Sequence, residues 1–176
     1  MPIYDCTLWE MLKPSESGII LSLEERISII CKSLDGLIFL QENRKLHLDI
    51  KPSNIMLRLS DDKTWDQETL VLTDFGLATN FDILSGNAGT PGYGSPEQFL
   101  GRPSKTSDNF AIGKLIIITI FPWNVGWNFL RQPITDENDK QIANEKNLKP
   151  LYEMILSLLN VCFLNTFIIY LFSIFR

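Results

Sequence analysis

One run limits what this chain can become more than any other: His47-Leu48-Asp49-Ile50-Lys51-Pro52-Ser53-Asn54-Ile55-Met56-Leu57, followed by Thr73-Asp74-Phe75-Gly76. An acid, a lysine and an asparagine share a short turn between apolar segments. A second acid lies past a β-rich stretch. These residue types suit phosphoryl transfer: an acid for the attacking hydroxyl, a lysine for phosphate charge, and Asn plus Asp as oxygen ligands for magnesium. Any one of them could stand there by chance; their order and spacing together are specific.

Composition narrows the alternatives. A chain of 176 residues is long enough for one domain with a sizeable core. The formal net charge of −5 leaves no general basic face for nucleic acid. Cys6, Cys31 and Cys162 lie far apart with no CxxC pair and a single histidine, which argues against a zinc site or a disulfide framework. A reducing, cytoplasmic setting is the expectation. Met1 to Asp5 has neither the basic nor the apolar region of a signal peptide.

Along the chain, Cys6 to Leu12 reads as a strand end entering a short helix, and Pro14 to Gly18 as a loop. Ser22 and Glu25 form a capping box ahead of a helix whose apolar stripe is Ile27, Ile30, Cys31, Leu34 and Ile38. Cys31 lies on that stripe and is expected in the core. Ile55-Met56-Leu57 and Leu70-Val71-Leu72 suggest a small two-stranded unit with a long exposed connection from Ser60 to Thr69, in which Trp65 has no evident role. Asp108 opens a helix that is apolar on nearly all sides through Ile118, as a buried helix is. Thr135-Asp136-Glu137 starts a charged stretch, and Met154 to Phe175 carries no charge. That last segment is long enough for a membrane span, or for a buried helix followed by an aberrant chain end. A membrane-associated location is the alternative to a cytoplasmic one.

The two motifs, together with Gly89-Thr90 and Ser95-Pro96-Glu97, resemble the large, C-terminal lobe of eukaryotic protein kinases of the serine/threonine type. The resemblance covers about residues 1–160 and implies a mainly α fold with a small β-hairpin element. It implies Asp49 as catalytic acid-base, orienting a protein substrate's hydroxyl, and Lys51 as stabiliser of the transferring phosphate. Asn54 and Asp74 would hold Mg²⁺, and Met56 would lie under the adenine of ATP, near Asp5 and Cys6. By the same resemblance Thr90 contacts the catalytic acid, His47 packs the loop against Phe75, and Asp108 holds the loop backbone. Thr79, Ser85 and Thr90 are candidate phosphosites.

The chain also departs from the family pattern. Leu48 replaces the arginine that reads an activation-segment phosphate, so control of that kind is not expected. Ser95 replaces an alanine. Glu97 would normally pair with a late arginine, but after Arg131 only Arg176 remains. No glycine-rich loop, strand lysine or helix glutamate of the small lobe precedes the hinge-like start, which suggests a truncated kinase domain with the N-lobe missing, weak in ATP binding and activity. A non-catalytic kinase-like binding module is the rival expectation, although such a module has no need of Asp49, Lys51, Asn54 and Asp74.

Overall fold

The computed structural model describes residues 4–13, 19–60, 64–81 and 89–121. The first strand, β1 (Cys6–Thr7), turns directly into α1 (Leu8–Leu12). Thr7 makes that turn possible. Its hydroxyl accepts from the Glu10 amide at 3.3 Å while the Glu10 carboxylate accepts from the Thr7 amide at 2.8 Å, so two N–H groups at the helix start are satisfied.

The same device opens α2 (Leu23–Glu42), where Ser22 and Glu25 form the capping box expected from the sequence. The buried face matches the expected stripe only at Ile30 and Leu34. Ile29, Ile30, Ser33, Leu34 and Leu37 are buried, whereas Ile27, Cys31 and Ile38 are half-buried. The stripe is rotated about the helix axis because α2 carries apolar residues on more than one face. Ser33 is tolerated inside because its hydroxyl donates to the Ile29 carbonyl at 2.7 Å. Cys31 is a half-buried free thiol whose pKa is raised by desolvation and by nearby Asp35.

After β2 (Lys45–Leu46) come a 3₁₀ turn (Pro52–Asn54), β3 (Ile55–Leu59), β4 (Trp65–Leu72), a second 3₁₀ turn (Phe75–Leu77) and β5 (Thr79–Asn80). The sheet is larger than the expected hairpin: three antiparallel strands in the order β1-β3-β4, with β2 and β5 paired separately. Ile55 faces Leu72, Met56 faces Val71, and Cys6 and Thr7 lie opposite Leu57 and Met56. The connection is also shorter than expected. β4 begins at Trp65, which pairs with Leu59 and is buried in the core. Its indole surface belongs to the core, and Ser60 closes the turn by hydrogen bonds to Thr64.

The last described elements are α3 (Pro96–Phe99) and α4 (Lys105–Ile120). The second begins earlier than Asp108, capped by Ser104, which leaves Asp108 in its first turn and fully buried. Ile112, Leu115, Ile116, Ile117 and Ile118 are buried as their all-round apolar pattern requires. Arg26 of α2 donates to the Thr119 carbonyl at 2.6 Å, a cation at the end of α4 where the carbonyls lack helical partners. Among the described residues no helix is long and apolar enough to cross a membrane. Ser85, the Thr135 helix start, Cys162 and the uncharged Met154–Phe175 segment lie outside the described residues.

Candidate active site

Asp49 is the centre of a hydrogen-bonded knot. Lys51 Nζ donates to its Oδ2 at 2.7 Å and to Thr90 Oγ1 at 2.7 Å, and the Thr90 hydroxyl donates to Asp49 Oδ1 at 2.6 Å. Asn54 Nδ2 donates to both the carbonyl and Oδ2 of Asp49, at 2.9 and 3.0 Å. Partial burial pushes the Asp49 carboxyl up, but the bonds from Lys51 and Thr90, the lysine charge and the Asn54 amide outweigh it and hold the group below its ordinary value. Asp49 is therefore an anion at neutral pH. A carboxylate has about four lone-pair sites, and three of them are engaged by these side chains. One acceptor position is left for an incoming hydroxyl. An ammonium has three protons, of which Lys51 uses two here, leaving one for an anionic oxygen.

The backbone beneath Asp49 is held as firmly. Leu48 adopts φ 65°, a left-handed conformation that costs a non-glycine residue about 1–2 kcal/mol. Both of its peptide groups are pinned: its N–H donates to Asp108 Oδ1 at 2.7 Å, and its carbonyl accepts from Gln98 Nε2 at 2.6 Å. The other oxygen of Asp108 takes the His47 N–H at 2.7 Å. Burial pushes the Asp108 carboxyl up, against the pull of these two amides. His47 Nδ1 accepts from the Asp49 amide at 3.3 Å, which leaves the ring proton on Nε2 to meet the Thr73 carbonyl at 3.1 Å. The ring lies 4.8 Å from that of Phe75, the packing role expected of it.

Thr73 also ties the two motifs together. Its amide and hydroxyl both donate to the Asn54 carbonyl, at 2.9 and 3.2 Å. Asp74 follows at φ 60° and ψ 69°, exposed, with Oδ1 accepting from the Gly76 amide at 3.4 Å. Aspartate is one of the residues that tolerates this left-handed conformation. Among the described residues no hydrogen bond joins the Asp74 side chain to the Asp49 knot, so the two expected magnesium ligands are linked through Thr73 rather than directly. Met56 stands apart as well, half-buried on β3 between Thr7 and Val71.

Among the described residues Glu97 is held by hydroxyl groups. Its Oε1 accepts from the hydroxyls of Thr106 and Ser107 at 3.0 and 3.1 Å. Partial burial raises its carboxyl pKa, but its own backbone amide and the hydroxyls of Ser95, Thr106 and Ser107 lower it further, to a net value below the ordinary 4.5. A depressed folded-state pKa means that the ionised form stabilises the fold. This contribution is complete above the unfolded-state value and disappears as pH falls through the folded-state value. The urea midpoint of wild type should thus exceed that of Glu97→Gln near neutrality, and the gap should narrow as pH falls below the unfolded-state value and through the lower folded-state one. A gap independent of pH would show that the charge contributes nothing.

Three participants, Gln98, Thr106 and Ser107, carried no sequence signal. Gln98 acts on a carbonyl 50 residues away, and the hydroxyls on Glu97 come from a helix cap. Only the buried position of a polar residue next to Glu97 could have drawn notice, and burial is not visible in sequence.

With this geometry in view, residues 3–163 match the protein kinase domain, and the chain belongs to that family. It is 35% identical over 114 residues, 60% of this chain and 16% of that protein, to a lectin-domain containing receptor kinase VI.3 of Arabidopsis thaliana. It is 36% identical over 96 residues to a dual serine/threonine and tyrosine protein kinase of Takifugu rubripes, covering 54% of this chain and 10% of that one. A calcium/calmodulin-dependent protein kinase type 1 of Caenorhabditis briggsae is 26% identical over 122 residues, 68% of this chain and 31% of its own. The matched region spans less than a third of each of these relatives.

Proposed function

We propose that this chain transfers the γ-phosphoryl group of ATP to serine or threonine hydroxyls of protein substrates, with Mg²⁺. The observation that carries the reading is the knot of Asp49, Lys51, Asn54 and Thr90, in which these side chains leave one acceptor position on Asp49 and one donor on Lys51. Asp49 would receive the proton of the substrate hydroxyl and fix its direction of attack, and Lys51 would meet the charge on the transferring group. An acid with a lowered pKa is a weak base, so orientation is the larger part of its role.

The donor set suits a magnesium ion. Asn54 turns its NH₂ group to Asp49, which directs its carbonyl oxygen the other way, and Asp74 presents an exposed carboxylate. Both are hard oxygen ligands, and when bound the ion bridges and neutralises nucleotide phosphates. Met56 would supply the apolar surface beneath the adenine. The Lys51–Thr90 pair supports serine and threonine as acceptors, because the resemblance associates that pair with such kinases. The reading puts the chain in the cytoplasm, a setting that the free thiols of Cys6 and Cys31 suit.

The test is incubation with radiolabelled ATP, Mg²⁺ and a mixture of protein acceptors, followed by separation of phosphoamino acids. Phosphoserine and phosphothreonine are expected, and EDTA should abolish both. Phosphotyrosine as the main product would overturn the choice of acceptor. Transfer no greater than that of Asp49→Asn would overturn the reaction itself and favour a binding module.

A further inference from the structure

Gln98 is a buried amide that the proposed reaction does not yet use. It sits in α3, immediately after Glu97, with about 2% of its surface exposed. Its Nε2 donates to the Leu48 carbonyl at 2.6 Å, across 50 residues of chain. Its backbone is anchored separately, because the Gln98 amide donates to Ser95 Oγ at 3.3 Å. The side chain thus reaches the loop from a fixed base.

The same amide group also supports the turn that carries Thr90. Gly89 has φ +138°, where L side chains are strained, and a methyl group there would come within 2.6 Å of Gln98 Nε2. Gly89 therefore packs its bare backbone directly on the Gln98 amide. One side chain touches the residue before Thr90 and the residue before Asp49. Thr90 and Asp49 are in turn bonded to each other at 2.6 Å. Moving the Gln98 amide would shift both ends of that bond.

Leu48 explains why such a clamp is needed. A leucine at φ 65° is held against its own preference, and the two bonds to its peptide groups come from Asp108 on one side and Gln98 on the other. We infer that Gln98 is a positioning residue for phosphoryl transfer: its amide holds the strained Leu48 peptide and the Gly89 turn in register, and so aims the Asp49 carboxylate. The inference rests on the reaction proposed above. It adds a residue that touches neither nucleotide nor acceptor.

Two substitutions and two readouts decide it. Gln98→Leu keeps the size and removes the donor. It should lower kcat about 10- to 100-fold, with KM for ATP nearly unchanged, since misplacing a reacting group by about 1 Å has effects of this size. Gln98→Glu can donate only as the neutral acid, so its kcat relative to wild type should rise as pH falls, whereas that of Gln98→Leu should stay flat. An undiminished kcat in Gln98→Leu, or a loss confined to KM, overturns the assignment. If Gln98→Leu does not fold, the pH response of Gln98→Glu decides, and a flat ratio overturns it. If wild type transfers no phosphate, the reaction has failed, and amide hydrogen exchange judges the clamp by itself. The Leu48 and Asp49 amides should exchange at least about tenfold faster in the variant, with α4 unchanged. Equal rates would overturn the clamp.

Discussion

Replacing Asp49 by asparagine should lower kcat for phosphoryl transfer by about 10²- to 10⁴-fold, the range over which a positioned acid-base group acts. The substitution keeps the shape and removes the charge on which three donors converge: Lys51, Thr90 and Asn54. Whichever way the new amide turns, its NH₂ faces at least one of those donors, so the knot loses bonds as well as charge. The proton of the incoming hydroxyl loses its anionic acceptor in the same step. Nucleotide affinity should change little, because Asp49 is assigned to the acceptor hydroxyl and not to the phosphates. Steady-state kinetics beside a calorimetric measurement of nucleotide binding would separate the two. A variant that keeps more than a tenth of wild-type kcat would remove Asp49 from the reaction. One that loses affinity and turnover together would make it a binding residue.

The parts of this site that were legible in the sequence share a property: they depend on short-range spacing. Asp49, Lys51 and Asn54 are near neighbours on one turn, so their convergence follows from local geometry. The Ser22–Glu25 capping box is local in the same way, and so is the burial of α4, which follows from a helix that is apolar on every side. The contacts expected of Thr90, His47 and Asp108 are long-range, and resemblance to the kinase family supplied them where spacing could not.

What was not legible depends on three-dimensional choice. The stripe on α2 is only partly fixed by spacing because Ile27, Ile29, Ile30, Cys31, Leu34, Leu37 and Ile38 offer more than one apolar face, and packing selects among them. Trp65 looked like part of a polar connection because its neighbours are polar, yet strand pairing with Leu59 sends its ring inward. Spacing in the sequence does not reveal the partners that Glu97 has among the described residues, because the hydroxyls of Thr106 and Ser107 reach it only through the packing of α3 on the start of α4. The left-handed backbone at Leu48 is the hardest case. Nothing in a leucine signals φ 65°, and only the bonds from Asp108 and Gln98 account for it.

Asp108→Ala should cost about 2–4 kcal/mol of folding stability, the largest structural effect expected of any residue around the site. The carboxylate is fully buried and takes one backbone N–H on each oxygen, from His47 and Leu48 at 2.7 Å. Hydrogen bonds to a charged group are worth roughly 1.5–3 kcal/mol each. Burial of the charge opposes them, as the upward push on its pKa shows, and removing the acid recovers part of that penalty. Alanine is still the less stable form because it leaves two buried N–H groups without acceptors, and one of them belongs to a residue already in a costly conformation. Asparagine is the sharper comparison. It avoids the buried charge and keeps one acceptor but turns its NH₂ toward one of the two amides, so Asp108→Asn should lie between wild type and alanine. Urea unfolding of the three proteins at neutral pH measures the order directly. An alanine variant as stable as wild type would mean that Leu48 holds its left-handed turn without Asp108, and the Gln98 bond would then have to be enough by itself.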